Sequence, residues 1–360
     1  MTTMTTLDAR PPVVRPAAPV NQEERPLLAR VADSIFWCAR YVERSEHVAR
    51  SLWVTGQVAI DVGDLDPRLK ARLWLGLLEA FEIPEPPADE GDDRPLGDRI
   101  LSHVLVDPNH PASATAAVAK ARENARAVRS EISAEMWQTL NELYWLLQGP
   151  GNGEGARQML GDSAEALFQQ LIRGSMLFQG VTDQTLAHGQ RWDFALAGRL
   201  LERADATCRI VQARVGFLEE AGDRLETPLR NIQLMAALRM CCSIEAYRRQ
   251  HMNELDVRQV VAFLLLQADH PRSVRFAVEA ARRAVDRIHR ASRHGQALSR
   301  DADAAARVDA AGRSLGRLAA RLEYADVDDV SADGIDEYVR QIRADIAEAN
   351  YALSRRYFMA

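Results

Sequence analysis

A charged signature occurs twice in this chain, about 160 residues apart, and it limits the fold more than any other feature. The first copy is Arg40-Tyr41-Val42-Glu43-Arg44-Ser45-Glu46, followed by Arg50. The second is Arg199-Leu200-Leu201-Glu202-Arg203-Ala204-Asp205, followed by Arg209. Both read Arg, Glu at +3, Arg at +4, an acid at +6 and Arg at +10. A second block repeats at a similar offset: Asn109-His110-Pro111-Ala112-Ser113 and Asp269-His270-Pro271-Arg272-Ser273, each followed by Ala-Val and then Ala-Arg. Two blocks at one offset predict a fold built from two internally duplicated multi-helix repeats.

The signature sits in segments whose apolar residues recur with helical period. At about 100° per residue, Arg40, Glu43, Arg44, Glu46 and Arg50 fall within a sector of about 160°. Trp37, Tyr41, Val42, Val48 and Leu52 take the other side, so the helix is amphipathic. Taken singly, such a stripe reads as a solvated face with i,i+3 and i,i+4 ion pairs. The same five-point pattern in both copies favours a partly buried Arg–Glu network, at the contact between repeats or around a shared cleft. Such a network would fix helix register or leave an Arg to grip a carboxylate or phosphate. Arg122 and Arg126, with Glu123 and Arg129, make a further charged stripe that joins the candidate set.

Helical periodicity covers nearly the whole chain, with no convincing strand–helix alternation or hairpin. The fold class is therefore all-α, a helical bundle. The expected helices run over 27–60, 67–81, 96–106, 109–148 with a break near Ser130, 163–178, 192–220, 228–250, 257–266, 271–292, 304–324 and 335–357. Asn109 and Asp269 read as N-caps, each with a Pro in the first turn, which also accounts for His110 and His270. Residues 83–95 read as a loop. The run Gly149-Pro150-Gly151-Asn152-Gly153-Glu154-Gly155 reads as a flexible linker. The domain division is a disordered leader over 1–25, a first helical repeat over 26–148, a Gly-rich linker over 149–161, a second repeat over 162–298, and C-terminal helices packed on the bundle over 299–360.

With 360 residues, 47% hydrophobic and 27% charged, the chain can bury a sizeable core. Its net charge of -6 argues against nonspecific nucleic-acid binding. Of 45 basic residues only Lys70 and Lys120 are not Arg. Arg makes planar bidentate contacts with carboxylates and phosphates, although a GC-rich genome favours the same composition. Cys38, Cys208, Cys241 and Cys242 all fall in helical patterns and read as buried free thiols in a reducing cytosol. No apolar run is long enough to span a membrane, so the cytoplasm is the expected location.

Familiar chemistries find no footing. A di-iron bundle needs Glu-x-x-His, and no Glu here has His at +3; Glu43 and His47 form an isolated pair at +4. There is no His-Glu-x-x-His and no phosphate loop. No metal or cofactor is expected, and catalytic residues are unassigned. Glu131, Glu135 and Glu142 read as surface positions, and Trp137, Tyr144 and Trp145 as core.

The stretch Leu27-Leu28-Ala29-Arg30-Val31-Ala32-Asp33-Ser34-Ile35-Phe36-Trp37-Cys38-Ala39-Arg40-Tyr41-Val42-Glu43-Arg44 resembles the bacterial alpha-E domain family, a domain of unknown function named for helical content and a Glu-Arg motif. Further resemblances are Ala121-Arg122-Glu123-Asn124-Ala125-Arg126, Ser133-Ala134-Glu135-Met136-Trp137, Leu201-Glu202-Arg203-Ala204-Asp205, Glu245-Ala246-Tyr247-Arg248 and Pro271-Arg272-Ser273-Val274-Arg275-Phe276. One departure is Cys38-Ala39, where the family often has Leu-Gly. The resemblance implies gene neighbourhoods with a circularly permuted ATP-grasp protein and a transglutaminase-like cysteine peptidase. By that analogy the chain is a non-catalytic accessory or substrate-presenting subunit of a peptide-ligating or peptide-modifying system. The alternative is an enzyme in its own right, with Glu43 or Glu202 as general base and neighbouring Arg residues holding an anionic substrate.

Overall fold

The computed structural model describes residues 27–62, 67–87, 93–216, 218, 227–252, 255–296, 302–332 and 334–359. Among these there are fourteen helices and no strand. In chain order they are α1 (Ala29–Val62), α2 (Pro67–Ala80), α3 (Leu96–Val106, its second half a π-helix), α4 (Ala114–Ala127), α5 (Ala134–Gln148), α6 (Glu154–Thr185), α7 (Gln190–Val211, continued by a π-helical turn over Gln212–Gly216), α8 (Thr227–Met240), α9 (Ile244–His251), α10 (Val257–Leu266), α11 (Val274–Gln296), α12 (Ala302–Tyr324), α13 (Val327–Ala332) and α14 (Ile335–Tyr357). The expected leader over 1–25 lies outside the described residues.

Two long helices organise the rest. α1 packs along α7, and each carries its own retinue: α4 and α6 on α1, α11 and α14 on α7. α5 then packs on α4 and α6, and α12 on α11 and α14. α1 is buried on nearly its whole circumference. Phe36, Val54 and Val58 enter the core shared with α7, while Val42, Val48 and Leu52 enter a second core with α2 to α6. Its polar stripe is buried too, with Arg40, Glu43, Glu46 and His47 inside. The amphipathic pattern thus separates an apolar interface from a charged one, not core from water. α1 and α7 approach closely at Gly198, where a Cβ would overlap the Phe36 carbonyl oxygen.

Several boundaries differ from the sequence expectation for local physical reasons. The caps of the helices after the repeated blocks lie four residues later than expected. Ser113, not Asn109, caps α4, accepting from the Ala116 amide at 3.0 Å. Ser273, not Asp269, accepts from the Phe276 amide at 3.1 Å at the start of α11. His110 and His270 lie in the preceding turns and offer their carbonyls to the Ser113 and Ser273 amides. The expected break near Ser130 is present between α4 and α5. The expected helix over 228–250 breaks at Cys241-Cys242-Ser243, where Cys242 has φ +52°. Cys242 is consequently exposed, against the expectation, while Cys38, Cys208 and Cys241 are buried.

The Gly149–Gly155 run, expected as a flexible linker, joins α5 to α6. It closes a tight turn that folds α6 back on α5. Gly149 and Gly153 take φ of +57° and +75°, and a Cβ on Gly155 would collide with the Leu146 carbonyl. α6 is correspondingly longer than expected, with a kink at Ser163. The C-terminal helices α12 and α14 pack on α11 and α7. No described helix is long and apolar enough to cross a membrane.

The Gly198 contact yields a direct expectation. Gly198→Ala forces α1 and α7 apart and lowers stability by about 1–3 kcal/mol. Gly161→Ala, in a helical position where a Cβ meets nothing, is neutral or stabilising by up to about 1 kcal/mol. Urea denaturation of the two variants checks the contrast.

Candidate functional site

Helical geometry places Arg40, Glu43, Arg44, Glu46 and Arg50 on successive turns of one face of α1. α7 does the same for Arg199, Glu202, Arg203, Asp205 and Arg209. Where the two helices pack, each glutamate binds the arginines of the other helix. Glu43 is fully buried and receives Arg203 through both oxygens, Nε to Oε1 at 2.7 Å and Nη2 to Oε2 at 3.0 Å. Glu202 receives Arg44 through Nε at 2.6 Å and Nη2 at 3.0 Å, and Arg40 through Nε at 2.8 Å.

Other side chains complete each carboxylate. Gln179 of α6 donates to Glu43 Oε2 at 2.7 Å, and His47 Nε2 lies 3.0 Å from Oε1. Glu46, also fully buried, receives Arg50 at 2.7 Å and both oxygens receive Arg272 Nη2, at 2.8 and 3.0 Å. Arg272 reaches within 3.6 Å of Glu43 as well, so one guanidinium ties the two acids together. Arg40 stacks over Trp37 at 4.9 Å from the ring centroid, and Arg44 over Tyr41 at 5.4 Å.

The electrostatics follow from these partners. Burial pushes the Glu43 carboxyl up, but Arg203, the His47 hydrogen bond and Arg272 outweigh it and hold it well below the usual range. Burial likewise opposes ionisation of Glu202, and Arg40 and Arg44 bring it down to about 2. Glu46 is held low against burial, chiefly by Arg272. Arg272 itself is raised: its burial is outweighed by Glu46 and Glu43. All three carboxylates are therefore held as anions with both oxygens of each engaged by donors.

The second copy is less symmetric. Arg199 lies 3.5 Å from Asp183 and its Nε has no partner. Burial and the neighbouring Arg203 lower its pKa. Arg199 and Gln179 line a crevice of about 10 Å³ with Ala39, Phe178 and Trp192, room for about one water. Asp205 pairs with Arg209 at 2.7 Å and with Arg343 of α14 at 3.1 Å, and both acid and Arg209 keep some exposure.

Arg122 and Arg126 stand apart from this assembly. Arg122 bonds Asn141 at 2.8 Å and lies 4.3 Å from the Tyr144 ring, with Trp137 and Trp145 at 5.4 Å. Trp137 and Tyr144 are half-buried against the second core, whereas Trp145, also expected in the core, is 54% exposed. Arg126 makes only a surface pair with Glu123 at 2.6 Å. Glu135 and Glu142 are exposed, and Glu131 pairs with Arg191 at 2.6 Å.

The sequence reading did not place Gln179, Arg272, Arg343 or Arg214 in the site. Arg272 lay inside a repeated block, but its counterpart in the first block is Ala112, so the repeat itself gave no charge signal there. Gln179 and Arg343 arrive from helices far along the chain. Arg214 is fully buried in the π-turn after α7. It bonds Gln233 at 3.3 Å and the Thr55 hydroxyl, and no carboxylate pairs with it among the described residues. Burial lowers its pKa to about 10. No group of three or more His, Cys, Asp or Glu side chains suited to a metal ion occurs among the described residues.

Residues 27–358 match the profile of the Alpha-E family, described as a predicted alpha-helical domain with a conserved ER motif. An uncharacterised protein of Mycobacterium bovis is 26% identical over 267 residues, covering 70% of this chain and 29% of that protein. Uncharacterised proteins from two strains of Mycobacterium tuberculosis match over the same length at 26% and 25% identity, with the same coverage. The match thus spans less than a third of these relatives. No solved structure matches the chain.

Removing one member of a buried charge pair leaves the other uncompensated. Glu43→Gln and Glu202→Gln each lower stability by about 3–5 kcal/mol at pH 7. Because the Glu202 pKa falls from 4.5 to about 2 on folding, its contribution is present above pH 4.5 and lost as pH drops toward 2. That single group is worth about 3 kcal/mol. Urea denaturation at pH 7 and at pH 3 checks this: the loss of stability between the two is smaller in Glu202→Gln than in the native chain.

Proposed function

The chain belongs to the Alpha-E family, and on that premise we propose that it is a non-catalytic, accessory or substrate-presenting helical subunit. It serves an ATP-grasp-linked peptide-ligation or peptide-modification system in the cytoplasm. A circularly permuted ATP-grasp partner supplies ATP binding and bond formation, and a transglutaminase-like cysteine peptidase acts in the same system.

The observation that carries this reading is the closure of the Glu-Arg motifs on each other. A general base needs an open approach and a pKa near the working pH. Glu43 and Glu202 have neither: both are buried, bidentately paired and held well below the usual carboxylate range. The alternative, a Glu/Arg active site acting on an anionic substrate, loses its base on this geometry. The motifs act as the joint of a scaffold, and a scaffold does its work through what docks on it.

A native pull-down of the tagged chain, with partners identified by mass spectrometry and ATP consumption assayed in the eluate, tests the proposal. The expected outcome is recovery of an ATP-grasp protein, with ATP turnover in the complex and none in the isolated chain. Turnover by the isolated chain, lost in a Glu43→Gln variant that still folds, overturns it.

A further inference from the structure

This chain writes its cations as arginine: of 45 basic residues only Lys70 and Lys120 are lysines. Lys120 is the one whose amine the fold sets against other cations. It lies on the flank of α4, next to the buried row that includes Ala117 and Ala121. Its Nζ is 5.6 Å from the centre of the Tyr41 ring of α1 and donates to the Pro111 carbonyl at 3.2 Å. The Arg44 guanidinium lies 5.4 Å from the same ring centre. Lys120 is half-buried, so its amine can be reached from solvent.

The charges around it are mostly of its own sign. No carboxylate pairs with it among the described residues. Arg44 shares Glu202 with Arg40, so two guanidinium groups stand against one carboxylate. Asp205, the next acid along α7, is taken by Arg209 and Arg343. On the other side, burial and His103 lower the pKa of His110, in the turn before α4, and Lys120 adds to them. Asp107 is engaged with the Asn109 amide at 2.9 Å and lies 3.8 Å from His103. Burial first, and Arg44 second, lower Lys120 below the ordinary lysine value.

An arginine at this position would lie on the Tyr41 ring and meet the Pro111 carbonyl equally well. It would not lose a proton there and form a covalent bond. Lysines that are desolvated or set beside another cation are the ones activated as nucleophiles. The excess of positive charge also favours a reagent whose leaving group is an anion.

We infer that Lys120 is an acyl-acceptor site that takes its acyl group from an acyl phosphate. The ε-amine attacks the carbonyl carbon, and the N–C bond forms as the C–O bond to phosphate breaks. The electron pair of that bond leaves with inorganic phosphate, and the proton lost from the amine goes to water. The product is an uncharged amide, which removes the repulsion between Lys120 and Arg44. Arg44 acts through its charge and gives up none of its bonds to Glu202. The inference rests on Lys120 and its neighbours and does not depend on the accessory-subunit reading.

The two lysines make the test internal to one sample. The full chain is treated at neutral pH with acetyl phosphate and, separately, with the uncharged N-hydroxysuccinimide ester of acetic acid. Acetylation at Lys120 and at Lys70 is followed by peptide mass spectrometry. With acetyl phosphate, Lys120 reacts about fivefold faster than Lys70 or more. The preference is smaller with the uncharged ester and disappears in guanidinium chloride. Arg44→Gln brings the Lys120 rate down toward that of Lys70. Because Arg44 also binds Glu202, the ratio of the two rates in the native chain decides the matter if that variant does not fold. Lys120→Arg keeps the charge and the native melting temperature and leaves the Lys70 rate unchanged. Equal rates at the two lysines of the folded chain, a preference that survives unfolding, or one equally large with the uncharged ester overturns the inference.

Discussion

Across the α1–α7 interface each helix supplies the carboxylate that neutralises the other's guanidinium groups. Glu43 takes Arg203, and Glu202 takes Arg40 and Arg44. Exchange of this kind differs from a pair within one helix, which survives when helices separate. Here the charges are satisfied only when both helices are present and in register. A slide of one turn, about 5.4 Å, would leave buried glutamates facing apolar rows and buried arginines without acids. The desolvation of such groups costs several kcal/mol per ion when unpaired, so the network discriminates strongly against wrong registers even where it adds little net stability. Since α4 and α6 hang on α1, and α11 and α14 on α7, that register is passed to the whole bundle.

The same saturation separates this assembly from an active site. Catalytic carboxylates are tuned by leaving a lone pair free or a like charge unrelieved. Glu43 has Arg203, Gln179, His47 and Arg272 around two oxygens. Glu46 is approached by Arg50 and Arg272, and Glu202 by Arg40 and Arg44. Every acid is met by at least one bidentate or doubled guanidinium contact, so any incoming substrate must displace an arginine. The less closed part of the network is at Asp205, Arg209 and Arg343, where a cavity of useful size adjoins it.

How much of this was legible in the chain depends on the range of the interaction. The all-α class and most helix spans follow from local periodicity; Ile335–Tyr357 in α14 is read without error. The five-point motif also advertised itself, because repetition makes a charge pattern visible. What repetition cannot show is a residue present in only one copy. Arg272 stands where the first copy has Ala112, and it is Arg272 that bridges Glu43 and Glu46. Helix caps failed for a subtler reason. Asn109 and Asp269 are good cap residues by type, yet each is followed within four positions by a serine, and Pro111 and Pro271 fit the intervening turn as well as they fit a first helical turn. Arg122 and Arg126 resemble the signature in charge and spacing, but α4 buries Ala117, Ala121 and Ala125, while Arg122 bonds Asn141 of α5 and Arg126 is exposed. Only the packing decides which face of a helix is inside.

The near absence of lysine can be judged position by position. A codon bias explains Arg126 or Arg340, whose exposed pairs an ammonium would serve equally well. It does not explain Arg44, Arg203 and Arg272. Arg44 and Arg203 engage a carboxylate through two nitrogens, and Arg272 touches both Glu46 oxygens while reaching Glu43. An ammonium has three donors on one atom and cannot span two acids on successive turns of α1, and it would be driven toward neutrality by the same burial. A guanidinium stays charged there and presents a planar fork that also lies flat on Trp37 or Tyr41. Composition thus supplies many arginines, and the fold places a few where no other side chain can both remain ionised out of water and hold two helices in one register.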